Sequence, residues 1–111
     1  MIEIIVRDHI DQKVDVTVYM EFPKDPPARF VVLRKADSGR EDLMDSAMFV
    51  AESYAESLLE TAKLNEQVKT ALDSLVELDA VCSSKRGGDY PFLDTKNKRY
   101  RDQAVQNITH Y

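Results

Sequence analysis

The sequence holds one cysteine, Cys82, among its 111 residues. That excludes an internal disulfide framework and any multi-cysteine metal site. Neither a Cys-x-x-Cys spacing nor a neighbouring histidine accompanies it, so Cys82 reads as a small strand residue rather than a nucleophile. No apolar run approaches the roughly 20 residues of a membrane helix. The opening MIEIIVRDHID has early acidic residues and no apolar central region, so a secretory signal is not expected and a cytoplasmic protein is. Glycine is scarce: Gly39, Gly87 and Gly88 are all there is. No phosphate-binding glycine loop, dinucleotide fingerprint or H-E-x-x-H pair occurs, and His9 and His110 stand apart. Gly87-Gly88-Asp89 lacks the strand-then-helix setting in which a glycine loop holds phosphate. Glu41, Asp42 and Asp45 lack calcium-loop spacing. Internal repeats and low-complexity segments are missing too. The residues therefore point to a binding or structural protein, with no catalytic residues, cofactor or metal expected.

What is present suits one folded domain spanning residues 1–111. The net charge of −5 argues against a basic nucleic-acid-binding face. Charge is nevertheless uneven along the chain. Lys85, Arg86, Lys96, Lys98, Arg99 and Arg101 crowd one stretch, whereas acids dominate from Glu41 to Asp79. Two unlike surfaces of this kind on one molecule can meet head to tail between copies. A solvated surface of mixed sign accounts for the same pattern.

Ile2, Ile5, Val6 and Ile10 recur at helical spacing, which predicts a short N-terminal helix over residues 2–11 with His9 on its wet side or at its end. VDVTVYMEF alternates with β-branched residues and predicts a strand. PKDPP must be a stiff connection, because each proline removes a backbone donor and restricts its neighbour. RFVVLRK, more continuously apolar, predicts a central strand, and ADSGRED a polar loop with Gly39 at its tip. LMDSAMFVAESYA fits helix or strand. As a helix it would fuse with the next segment into an improbably long one, so a strand ending near Tyr54 is expected. Ser57-Leu58-Leu59-Glu60 has the form of a capping box, as does Ser53-Tyr54-Ala55-Glu56 one turn earlier. Leu58, Leu64, Val68, Ala71, Leu72 and Leu75 fall on one face of the helix that follows. Leu59 lies on the polar side, either simply exposed or a contact for another subunit. VELDAVCSSK reads as a fourth strand, RGGDYPFLDTKNK as a long loop hinged at Gly87-Gly88, and RYRDQAVQNITHY as a terminal strand polar on both faces. Tyr90 and Phe92 are apolar for a loop. They either tuck back onto the sheet or, with Arg86 and Lys96, contact a partner. The elements make an α+β domain with a single mostly antiparallel or mixed sheet of about four to five strands.

Three stretches carry a resemblance: PPARFVVLRK, the SYAES-to-LNEQVK helix entry, and the terminal DTKNKRYRDQAVQNITHY. In their order they resemble the small tail-terminator or tail-completion proteins of the neck of long-tailed bacteriophages and prophages. The resemblance covers nearly the whole chain. It implies a sheet with the long and short helices packed on one side, and a hexameric ring on top of the tail tube. Such a ring would stop tube polymerisation, offer a surface to the head connector or stopper, and let DNA pass as cargo through an acidic lumen. It implies a virion structural protein, assembled in the bacterial cytoplasm, that catalyses nothing and touches no membrane. The PKDPP segment also suits neighbouring neck proteins, which leaves a head-completion or stopper role as the alternative.

Overall fold

Val6 and Ile10 lie one turn apart, and the segment around them coils into helix α1, Ile2–Lys13, of the computed structural model. The structure describes residues 1–41, 43–94 and 99–111, with the backbone alone at 41, 89–94 and 99. Strand β1, Val18–Tyr19, comes next, followed by β2, Phe30–Glu41, and β3, Met44–Ala55. Helix α2, Leu58–Asp73, runs into a short 3-10 turn, Ser74–Glu77. Strands β4, Val81–Asp94, and β5, Arg99–His110, complete the chain. The sheet order is β1-β2-β3-β5-β4. Only β1 runs parallel to its neighbour; the other pairings are antiparallel. This is the α+β architecture with a mixed five-stranded sheet that the sequence pattern implies.

Alternation along the strands decides which residues meet the helices. Val31 and Leu33 of β2, Phe49 and Ala51 of β3, and Ala104 and Ile108 of β5 share one core with Leu64, Val68 and Leu72 of α2. Val6, Ile10 and Val14 bring α1 into the same core. The opposite face carries a smaller cluster of Phe30, Val32 and Tyr54. Phe30 and Tyr54 stack at 4.6 Å, and Phe22 meets both rings edge-on at 5.5 Å. Phe22 thereby ties the proline-rich connection to this face, in a segment that forms neither helix nor strand.

The α2 start follows the capping-box reading. Ser57 Oγ accepts from the Glu60 amide at 3.1 Å, and Thr61 Oγ1 donates to the Ser57 carbonyl at 2.7 Å. Leu58 departs from expectation: it lies outside the core, 60% exposed, and the buried face of α2 begins at Thr61. His9 also departs. It is buried, with Nε2 2.7 Å from Ser74 Oγ, because α1 packs against the end of α2.

Three further expectations are corrected. VDVTVYMEF pairs only at Val18–Tyr19, since α1 runs to Lys13 and the Val14 amide caps it through the Ile10 carbonyl. Val14 and Val18 are both buried although only Val18 is in a strand, so the alternation reports burial more than pairing. ADSGRED is not a loop: β2 runs through to Glu41, with a bulge between Lys35 and Asp37. Its polar composition reflects a hairpin arm that is exposed at each residue from Arg34 to Arg40. Finally, residues 86–94 of the expected long loop are strand. Gly87-Gly88 forms a bulge, not a hinge: the register shifts between Arg86 and Gly88, and Gly88 has φ of 124°. At Gly87 a Cβ would stand 2.8 Å from Asn107 Nδ2 and 2.9 Å from Val105 Cγ1, so a side chain there would force its β5 neighbours to shift. Pro91 is tolerated because β4 is an edge strand.

Candidate functional site

The surface proposed from sequence was a basic loop, and most of it is strand. Arg86 sits on β4 and reaches α2. Its Nη2 and Nε lie 2.7 and 2.9 Å from Asp73 Oδ2. Asp73 also accepts from Gln106 Nε2 at 3.1 Å, and Gln106 in turn donates to Ser84 Oγ at 2.8 Å. The hydrogen bond from Arg86, first, and that from Gln106 hold the Asp73 carboxyl below its ordinary range, against the opposing effect of burial. Tyr90 and Phe92 stand opposite Gln103 and Arg101 in the β4–β5 register. Lys96 lies outside the described residues. Leu59, 64% exposed, sits beside Leu58 on the first turn of α2. The structure thus brings none of Leu59, Arg86, Tyr90 and Phe92 into one described cluster.

The charge segregation read along the sequence is partly cancelled in space. Arg86 meets Asp73, and Arg101 meets Glu52. Each pairing joins the basic stretch to the acidic one inside a single copy. Sequence order separates these residues by 13 and 49 positions, and only the sheet makes them neighbours.

Glu52 is the centre of a network that sequence reasoning missed. It lies on β3 two residues from Tyr54, on the face away from α2. Its Oε2 accepts from Arg101 Nη1 at 2.8 Å and from the Tyr54 hydroxyl at 3.4 Å. Its Oε1 accepts from Arg34 Nε at 3.3 Å. Arg101 also lies over the Tyr54 ring at 5.9 Å. A buried carboxylate needs such partners to offset its lost hydration. The available signal is an acid, followed by Ser53, within the mostly apolar stretch FVAESYA.

Past the network the same face opens into a trough of about 350 Å³. Two rungs of the sheet build its floor. Asp37, Met48, Asn107 and Lys85 form one, and Gly39, Ser46, Thr109 and Ser83 the next. Short side chains leave the space, and Ser83 and Thr109 hydroxyls join across it at 2.7 Å. The trough offers hydroxyls, an amide and one charge of each sign. Elsewhere, Ser74 Oγ donates to the Ala71 carbonyl at 2.7 Å, which leaves His9 Nε2 as the donor to it. That arrangement packs α1 on α2 and does not activate the hydroxyl. Among the described residues no three His, Cys, Asp or Glu side chains converge as metal ligands. Compared with models of protein families the chain matches none, and no curated protein matches it.

Proposed function

We propose that this chain is a structural subunit of the neck of a long-tailed phage or prophage, joining copies of itself into a ring that ends tail-tube growth and receives the head connector. The observation that carries this reading is the order of the three resembling stretches. In chain order they take in the connection into β2, the β3–α2 junction with most of α2, and, after β4, strand β5. An elongated body, 43 Å by 24 Å by 24 Å, suits repetition in an assembly. In this role the chain supplies surfaces, not catalysis, and DNA is passing cargo. Its place is the virion neck. The alternative within the same neck is a head-completion or stopper subunit.

The test is to add purified protein to its cognate tail tubes and image them by negative-stain electron microscopy. A ring at one tube end, with elongation arrested, is expected. Binding along the tube, or no binding, would reject the terminator role and direct the same assay to the head connector. Joint replacement of Arg86, Tyr90, Phe92 and Lys96 by alanine is expected to abolish ring formation or tube binding. Unchanged assembly would remove β4 from the interface.

A further inference from the structure

Residues 1–19, helix α1 and strand β1, form one arm. Asp11 Oδ1 on α1 accepts from the Val18 amide of β1 at 3.0 Å, which ties the two elements to each other. The arm meets the body of the chain along a single seam. Val6, Ile10, Val14 and Val18 share the core of Leu64, Val68, Leu72 and Leu75. Glu3 meets Lys35 of β2 at 3.4 Å, and His9 Nε2 donates to Ser74 Oγ at 2.7 Å. The Thr17 carbonyl accepts from the Val31 amide at 3.2 Å, and β1 pairs with β2 only at Val18 with Val31 and Tyr19 with Val32.

The connection from the arm to β2 runs from Met20 to Arg29 and forms neither helix nor strand. Because Tyr19 lies opposite Val32, the connection turns back and re-enters the sheet about 8 Å from where it left, by strand spacing and rise. Extended as a proline-rich linker, the same ten residues reach about 31 Å. The return bends at Lys24-Asp25 and Ala28-Arg29. Pro23, Pro26 and Pro27 favour the opposite shape, since proline and the residue before it prefer extended backbone. Asp25 stands both at a bend and directly before a proline. What the closed return gains is Phe22, edge-on to Phe30 and to Tyr54 at 5.5 Å. Opening the connection gives up those ring contacts and lets the prolines extend.

We propose that the α1–β1 arm of one copy leaves its own body and takes the same seat on a second copy, with residues 20–29 extended between the two bodies. The structure itself identifies the occupant of the seat: an arm of this sequence already fits it. On the second body the arm meets the same core, Lys35, Ser74 and Val31. Every contact of the seam is remade, so the exchange alters the connection and little else, and protein concentration decides between the closed and exchanged forms. Reciprocal exchange gives a dimer, and exchange passed on in one direction gives a ring or a filament. The exchange stands on the seam and the connection alone and does not require the neck reading; where both hold, it links neighbouring subunits of the ring.

Disulfide trapping after refolding tests it. In a Cys82→Ser background, Val18→Cys and Val31→Cys are introduced together and singly. The two positions stand opposite each other in the β1–β2 register, within reach of a disulfide. The full-length proteins are unfolded in urea, refolded under reducing conditions at a series of concentrations, then oxidised and run on a non-reducing denaturing gel. In a closed copy the bond is internal, and in an exchanged one it joins two chains. The double variant is expected to give reducible dimers and larger species whose share grows with the refolding concentration, whereas each single variant stays monomeric. Internal bonds alone at every concentration, or single variants that cross-link as readily as the double one, overturn the proposal. Adding Phe22→Ala is expected to raise the interchain share, because it removes what the closed return gains. An unchanged or lower share would overturn the assignment of residues 20–29 as the hinge. Should the first pair fail to fold by circular dichroism, Tyr19→Cys with Val32→Cys, the next pair in register, takes its place. Interchain bonds in a protein that does not bind tail tubes would retain the exchange while rejecting the neck role.

Discussion

The Glu52–Arg101 pair offers a sharp test of how the helix-free face is held together. The two side chains meet at 2.8 Å and are only 11% and 16% exposed. Replacing Glu52 by glutamine keeps the shape but withdraws the charge facing both Arg101 and Arg34. Because water can replace little of that interaction, the loss is expected to cost about 2–4 kcal/mol. Arg101→Met, which preserves the aliphatic stem, should cost a similar or slightly smaller amount. The double variant should be less destabilised than the sum of the two, by about 2 kcal/mol. The Asp73–Arg86 pair serves as the internal control. It is as short, at 2.7 Å, but its side chains are 43% and 49% exposed. The equivalent cycle with Asp73→Asn and Arg86→Met should give only about 0.2–1 kcal/mol. Urea unfolding measures both, with an unchanged slope required for the comparison. Added salt should weaken the control coupling and leave the Glu52 coupling nearly intact. A Glu52–Arg101 coupling no larger than the control, or one that salt removes, would refute the view that this network is effectively buried.

The remaining expectations concern the helices. Burial pushes His9 below its ordinary pKa, Lys13 adds to the effect and Glu77 opposes it. Since the unfolded chain binds this proton more readily, stability should fall as pH drops through about 6.5 toward the lower folded value. His9→Gln should flatten that part of the curve in urea titrations between mildly alkaline and mildly acidic pH. Leu72, fully buried between α2 and the sheet, should cost about 2–5 kcal/mol when replaced by alanine. Ser57→Ala removes the α2 cap and should cost about 1 kcal/mol, seen as a lower urea midpoint at constant slope.

The parts of the fold that depend on local chemistry could be read from the chain alone. The α2 cap needs only Ser57 and Glu60, three residues apart. The α2 core face needs only a repeat of 3.6, and β3 and β5 needed only their alternation and the improbability of an overlong helix. Each of these is decided within a few residues. The errors fell where a distant partner settles the outcome. Gly87-Gly88 looked like a hinge because a bulge exists only relative to β5, and Asn107 lies more than a dozen residues further along the chain. ADSGRED reads as a loop because its residues are small or polar and exposed, yet its backbone is paired to β3 through Glu41. His9 looked wet until α1 met the end of α2.

The same division applies to function. Composition and order determined by themselves that this is one folded α+β chain, and they carry the neck resemblance. Which charges remain available to a partner was decided by tertiary structure, because the sheet brings Arg86 to Asp73 and Arg101 to Glu52 and so consumes part of the apparent segregation. The left-handed φ of 70° at Leu43 and the short pairing of β1 with β2 at Val31 and Val32 are likewise products of the fold. A backbone angle and a missing neighbouring strand are properties of chain placement in three dimensions, and no local pattern encodes them.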